Sequence, residues 1–145
     1  LKAIYRRTDE AKQAVRQRAE ALSSTSFADP NPTLNRWFGS AQSDERRACK
    51  TWLRSADLEG YRTAYKAFAE EDGPSDEDLA NLPCPVLFMT GELEPNSTPE
   101  MSRKMADLAP RGRVQVIEGA AHMMPMTHPD QVNKALLAFA RECLT

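Results

Sequence analysis

Apolar residues recur at helical spacing through the first half of the chain and gather into short unbroken runs in the second. Ala11, Ala14, Val15, Ala19 and Leu22 fall on one side of a helix predicted over residues 8–22. Thr8 is its N-cap, and Asp9 and Glu10 sit in the first turn, where unpaired N–H groups favour negative charge. Ser23, Ser24, Ser26, Pro30 and Pro32 break the pattern, because proline lacks an amide hydrogen and crowds the preceding turn. Leu34, Trp37 and Phe38 then form a short apolar element closed by Gly39. Ser43 caps a second long helix with Ala48, Trp52, Leu53 and Ala56 on one side. Asp57 caps a third, in which Tyr61, Ala64, Tyr65 and Phe68 follow the i, i+3, i+4, i+7 spacing of a buried face.

The acidic stretch 72–82, containing Gly73 and Pro74, marks a boundary beyond which the pattern changes. Cys84-Pro85-Val86-Leu87-Phe88-Met89-Thr90 is a continuous apolar run stopped by Gly91, as expected of a strand buried on both faces of a parallel sheet. Ser97 or Thr98 followed by Pro99 starts a helix with Met101, Met105 and Leu108 inward, and Pro110 and Gly112 end it. Val114–Ile117 is a second strand, reached through a helix as parallel neighbours require. Residues 119–128 read as a loop, and Pro129 opens a last helix whose Val132, Leu136, Phe139, Ala140 and Cys143 face the sheet. The fold class is therefore α/β: a helical region over residues 1–80, then a β-α-β-α unit over 81–145.

Composition narrows the function classes. A net charge of -2 supplies no field to gather nucleic acid or acidic lipid. The local basic stretch from Arg6 to Arg18 is interrupted by Asp9 and Glu10 and reads as a solvated helix face. The longest apolar run is far short of the roughly 20 residues that cross a bilayer, so no membrane partner is expected. Three cysteines without C-x-x-C spacing indicate neither a disulfide framework nor a zinc cluster, and fit a cytoplasmic setting. With two histidines in the chain, no metal site and no cofactor are expected.

Ligands of open parallel sheets gather at the carboxyl ends of strands, where loops vary on a rigid base. Gly91-Glu92-Leu93-Glu94-Pro95-Asn96 leaves the first strand and Glu118-Gly119-Ala120-Ala121-His122 the second. A carboxylate beside an imidazole fixes its tautomer and stabilises the imidazolium formed when the ring takes a proton. Glu94 and His122 are the candidate pair, with Glu92 as the alternative acid and His128 read as a helix-cap or surface residue. Met123, in the run Met123-Met124-Pro125-Met126, is expected to line a pocket beside the imidazole, although core filling is an equal reading. Of the aromatic residues in the helical region, Trp37 is the one expected to reach that pocket.

The segments PVLFMTGELEPNSTP and RVQVIEGAAH resemble the last two strands of the α/β-hydrolase fold, in which G-x-x-D presents an acid and G-x-x-H the histidine. Residues 82–143 follow that pattern throughout, with Glu94 standing where aspartate is usual. NRWFG and TWLRSADLEGYRTAYKAF resemble the helical cap of small-molecule hydrolases related to oxoadipate enol-lactonase and similar esterases. The resemblance implies a partial α/β-hydrolase fold, with a cap followed by the last two parallel strands and their helices. It also implies cofactor-free cleavage of an ester, lactone or related small carbonyl compound. His122 would be the general base and Glu94 its orienting acid. No G-x-S-x-G nucleophile elbow occurs in the chain. In the family's order that serine precedes the cap, so the chain is expected to be the downstream portion of a longer polypeptide. Its expected partners are that N-terminal part and a small-molecule substrate, with homo-oligomerisation left open. Three alternatives remain at this stage: a binding protein of the same fold, another chemistry of the fold (acyltransfer, carbon–carbon cleavage, dehalogenation), and a helical interaction module over residues 1–80.

Overall fold

The computed structural model describes residues 3–22 and 29–144; the serines expected to break the first helix lie outside them. Side-chain caps set the starts of most helices. Thr8 accepts from the Ala11 amide at the head of α1 (Asp9–Ala21), Ser43 from Arg46 at α3 (Asp44–Ser55), and Asp57 from Gly60 at α4 (Leu58–Glu70). Between α1 and α3 lies α2 (Asn31–Phe38), with Pro32 in its first turn. Proline there opens a helix instead of forbidding one, because the amide it lacks would have been unpaired anyway. Gly39 ends α2 with a φ of 65°. Ser75 and Asp78 form a capping box on the short α5 (Asp76–Ala80).

Two parallel strands follow. β1 (Val86–Gly91) pairs with β2 (Gly112–Ile117) from Val86 opposite Gly112 to Gly91 opposite Ile117. The crossover is α6 (Pro99–Leu108), capped by Thr98 with Pro99 at its first position. Strand alternation sends Phe88 to one face of β1, against Tyr5, Leu79, Met105 and Ala106, and Leu87 and Met89 to the other, against Ile117, Ala120, Met124 and Val132. Each fully buried Leu, Ile, Val, Phe or Met side chain among them contributes about 1.5–3 kcal/mol. The upstream helices keep their own apolar clusters. Leu34, Phe38, Cys49 and Leu53 pack α2 on α3, while Val15, Ala19 and Ala69 pack α1 on α4.

Several expected faces are turned. Trp52 is 59% exposed, and Ala56 is exposed too, because the inner stripe of α3 runs through Arg46, Cys49 and Leu53. Arg46 fits there because its guanidinium bonds Gly39 O at 3.0 Å and Asn35 Oδ1 at 2.7 Å, closing the end of α2. Ala64 is exposed while Ala69 is buried. The region expected to be all loop before residue 128 contains a turn of helix, α7 (Met124–Thr127). On α8 (Pro129–Cys143) the sheet-facing residues are Val132, Ala135 and Phe139; Leu136, Ala140 and Cys143 are exposed. Exposed apolar sheet surface is confined to β2, where Val114 is 39% exposed, whereas Leu87, Phe88 and Met89 are covered.

Candidate active site

Parallel pairing puts the exits of both strands side by side, and backbone contacts then hold the two loops together. Glu92 N donates to Ile117 O and Leu93 N to Ala120 O, each at 2.9 Å. Gly91 permits this approach: a Cβ there would stand 2.3 Å from Ala120 O and 2.7 Å from Ala121 O. Gly119, at a φ of 67°, turns the second loop back towards the first, and its amide donates to Glu92 Oε2 at 2.9 Å.

The two candidate acids are thereby separated. Glu92 is exposed and holds the turn at Gly119, whereas Glu94 is buried and reaches the imidazole. Glu94 Oε2 lies 2.7 Å from His122 Nδ1, and Oε1 accepts from the amides of Asn96 at 2.9 Å and Ser97 at 3.4 Å. The Thr90 hydroxyl donates to Ser97 O at 2.6 Å, which fixes the far end of the loop to the strand. The extra methylene of glutamate is thus accommodated by a loop that folds around the carboxylate.

The His122 side chain is 31% exposed, with its ring stacked on that of Trp37 at a centroid distance of 5.7 Å and an interplanar angle of 14°. Met123 N donates to Trp37 O at 3.4 Å, linking the histidine loop to α2. Of the two readings of Met123, pocket lining and core filling, the structure favours the second: its side chain packs against the Leu34 and Cys49 cluster and is not among the residues lining the cleft beside the imidazole, and Met124 fills the core below the sheet. His128 precedes α8 without making a side-chain cap; its Nδ1 lies 2.8 Å from Thr127 Oγ1.

A cleft of about 250 Å³ opens beside the imidazole, lined by Thr33, Arg36, Trp37, Tyr61, Tyr65, Phe68, Asn96 and His122, with Ala64 at its edge. Burial, then the neighbouring Tyr65, pushes the Tyr61 phenol up, against the opposing pull of a hydrogen bond with Thr33 and the charge of Arg36. It stays protonated at neutral pH. Burial likewise pushes the Cys49 thiol up, away from the thiolate a nucleophile needs. Among the described residues no group of three or more His, Cys, Asp or Glu side chains is placed to hold a metal, and no helix is long and apolar enough to cross a membrane. Arg36, Tyr61 and Asn96 were not singled out as site residues from the sequence. The one local hint was a charged residue set inside the apolar NRWFG segment.

A carboxylate-held imidazole at the carboxyl edge of a parallel sheet is an arrangement chemically able to transfer protons. The chain belongs to the alpha/beta hydrolase family, whose profile matches residues 5–135. It is 40% identical over 141 residues to the (E)-2-((N-methylformamido)methylene)succinate hydrolase of Acinetobacter baylyi, covering 96% of this chain and 53% of that protein. A thermophilic esterase from Thermogutta terrifontis superposes with a TM-score of 0.79 at 26% identity, over 99% of this chain and 54% of the esterase. The enol-lactonase of Burkholderia xenovorans LB400 shares the fold with a TM-score of 0.72 at 20% identity, over 89% of this chain and 50% of the lactonase. The chain therefore spans about half the length of these relatives, as a helical cap with two parallel strands of the fold.

Proposed function

We propose that this chain supplies the acid and histidine of a serine hydrolase that cleaves an ester, lactone or related small carbonyl compound, with the nucleophile contributed by a preceding part of the same polypeptide. The observation that carries the reading is the contact of Glu94 Oε2 with His122 Nδ1 at 2.7 Å, made by a carboxylate with no exposed side-chain surface. A serine hydroxyl from the N-terminal part attacks the carbonyl. His122 takes the hydroxyl proton at Nε2 and returns it to the leaving group, while Glu94 keeps the proton of Nδ1 in place and stabilises the imidazolium. Backbone amides of the N-terminal part hold the oxyanion. The names of the relatives, a substituted-succinate hydrolase and an esterase, support a small acyl substrate.

The test is made on the polypeptide that includes the upstream part, with an activated ester as substrate. His122→Ala is expected to lower kcat by about 10³-fold or more and Glu94→Gln by about 10²–10⁴-fold, as removal of a general base or of its orienting charge does elsewhere. Labelling by a serine-directed fluorophosphonate is expected to slow in parallel. Turnover by the 145-residue chain alone that depended on His122 would place the nucleophile within it and overturn the reading.

A further inference from the structure

Arg36 stands in the last turn of α2, beside Trp37, on the wall of the cleft that contains His122. Its Nη2 donates to the Thr33 hydroxyl at 2.9 Å, one turn back on the same helix, and Thr33 also bonds the Tyr61 phenol. The guanidinium is thereby tied to side chains of two helices that line the cleft. Among the described residues that is its one hydrogen bond, and no Asp or Glu forms an ion pair with it. Nor does any Asp or Glu line the cleft itself. A guanidinium carries five donors in a planar fork that matches the two oxygens of a carboxylate, and it cannot shed its charge. A half-buried, oriented guanidinium facing open space with most of its donors unclaimed is built for an anion that is not part of the protein. The Asn96 amide and the Tyr65 phenol add neutral polar groups, and Trp37 and Phe68 give the cleft apolar walls.

We propose that Arg36 binds a carboxylate of the substrate, so that the compound cleaved at His122 is a small acyl compound bearing a free carboxylate. This rests on the hydrolase reading above and names its substrate class. The test compares monoethyl succinate with ethyl butyrate by pH-stat titration, again on the polypeptide that includes the upstream part. The native protein is expected to favour the anionic ester at least tenfold in kcat/KM. Arg36→Met brings that ratio down towards one, and Arg36→Lys, which keeps the charge but not the fork, leaves it in between. A native preference for the neutral ester, or a ratio unchanged in Arg36→Met, overturns the proposal while leaving the hydrolase reading intact. If neither ester is hydrolysed, the activated ester decides the hydrolase reading, and Arg36 is judged by calorimetric titration with succinate. At least tenfold weaker binding to Arg36→Met supports the carboxylate site; equal binding, or none to the native protein, overturns it.

Discussion

Glu94 serves three partners with two oxygens: the imidazole on Oε2, and the amides of Asn96 and Ser97 on Oε1. A side chain in that position is held by its own loop, which is why its length matters more than its type. Glu94→Asp, the residue more usual in the family pattern, withdraws the carboxylate by about one bond, roughly 1.5 Å. From that distance it cannot keep both the 2.7 Å contact to His122 and the amide pair. The expected outcome is a kcat about 10–100-fold lower with KM little changed, since an orienting group acts mainly in the transition state. Steady-state kinetics on the active polypeptide checks this, and wild-type kcat in Glu94→Asp would show that the loop re-forms around the shorter acid. The pairing of Glu94 with His122 was legible in the sequence because each follows a strand by a short glycine-led loop. Arg36 was not, because its significance depends on residues 33, 61, 96 and 122 meeting across separate elements.

Most helix starts were readable for a local reason, since caps such as Thr8, Ser43 and Asp57 bond amides three residues on; β1 announces itself by its apolar run, while β2 begins at Gly112, two residues before the expected Val114. Helix faces were less so. Whether Trp52 or Cys49 points inward on α3, or Leu136 or Ala135 on α8, is settled by the partner element, which periodicity alone does not name. The most exacting position at this scale is Gly91, where β1 hands over to the acid loop. A methyl group placed there meets the Ala120 and Ala121 carbonyls, which are backbone and cannot swing aside as a flexible side chain would. Gly91→Ala is therefore expected to cost about 1–3 kcal/mol of stability, as overpacking does, seen as a lower urea midpoint. Because the displaced backbone leads directly into His122, kcat should fall more than tenfold at a temperature where the variant is still folded. A loss of stability with unchanged kcat would mean that strain relaxes away from the site.

The molecule as a whole is held by several small apolar clusters, so the polar contacts that join them carry more of its integrity than they would around one large core. The densest of these joints is Asp72, beyond the end of α4. Its carbonyl accepts from Arg6 N at 3.0 Å, its Oδ1 from Arg7 N at 2.9 Å, and its carboxylate pairs with Lys12 of α1 at 2.8 Å and with Arg7 Nε at 3.5 Å. The Arg7 side chain is 3% exposed, lies over the Phe68 ring and donates to Phe68 O at 3.0 Å, so Asp72 is the counter-charge that makes its burial tolerable. Asp72→Asn keeps an oxygen for the Arg7 amide but removes that charge. With a third of the Asp72 side chain open to solvent, the loss is expected at about 1–3 kcal/mol, below the value for a fully buried pair. Burial raises the Asp72 pKa, but hydrogen bonds from Lys12 and Arg7 and the Lys12 charge outweigh it and hold the carboxyl below the ordinary 3.8. A carboxyl depressed in the folded state stabilises it fully above the unfolded value and ceases to do so as pH falls through the folded one. The deficit of Asp72→Asn relative to the native chain should therefore be complete at pH 7 and shrink as the pH is lowered below about 3.8. Urea unfolding of both proteins at pH 7 and pH 3 measures it, and an equal gap at the two values would assign the loss to packing instead of charge.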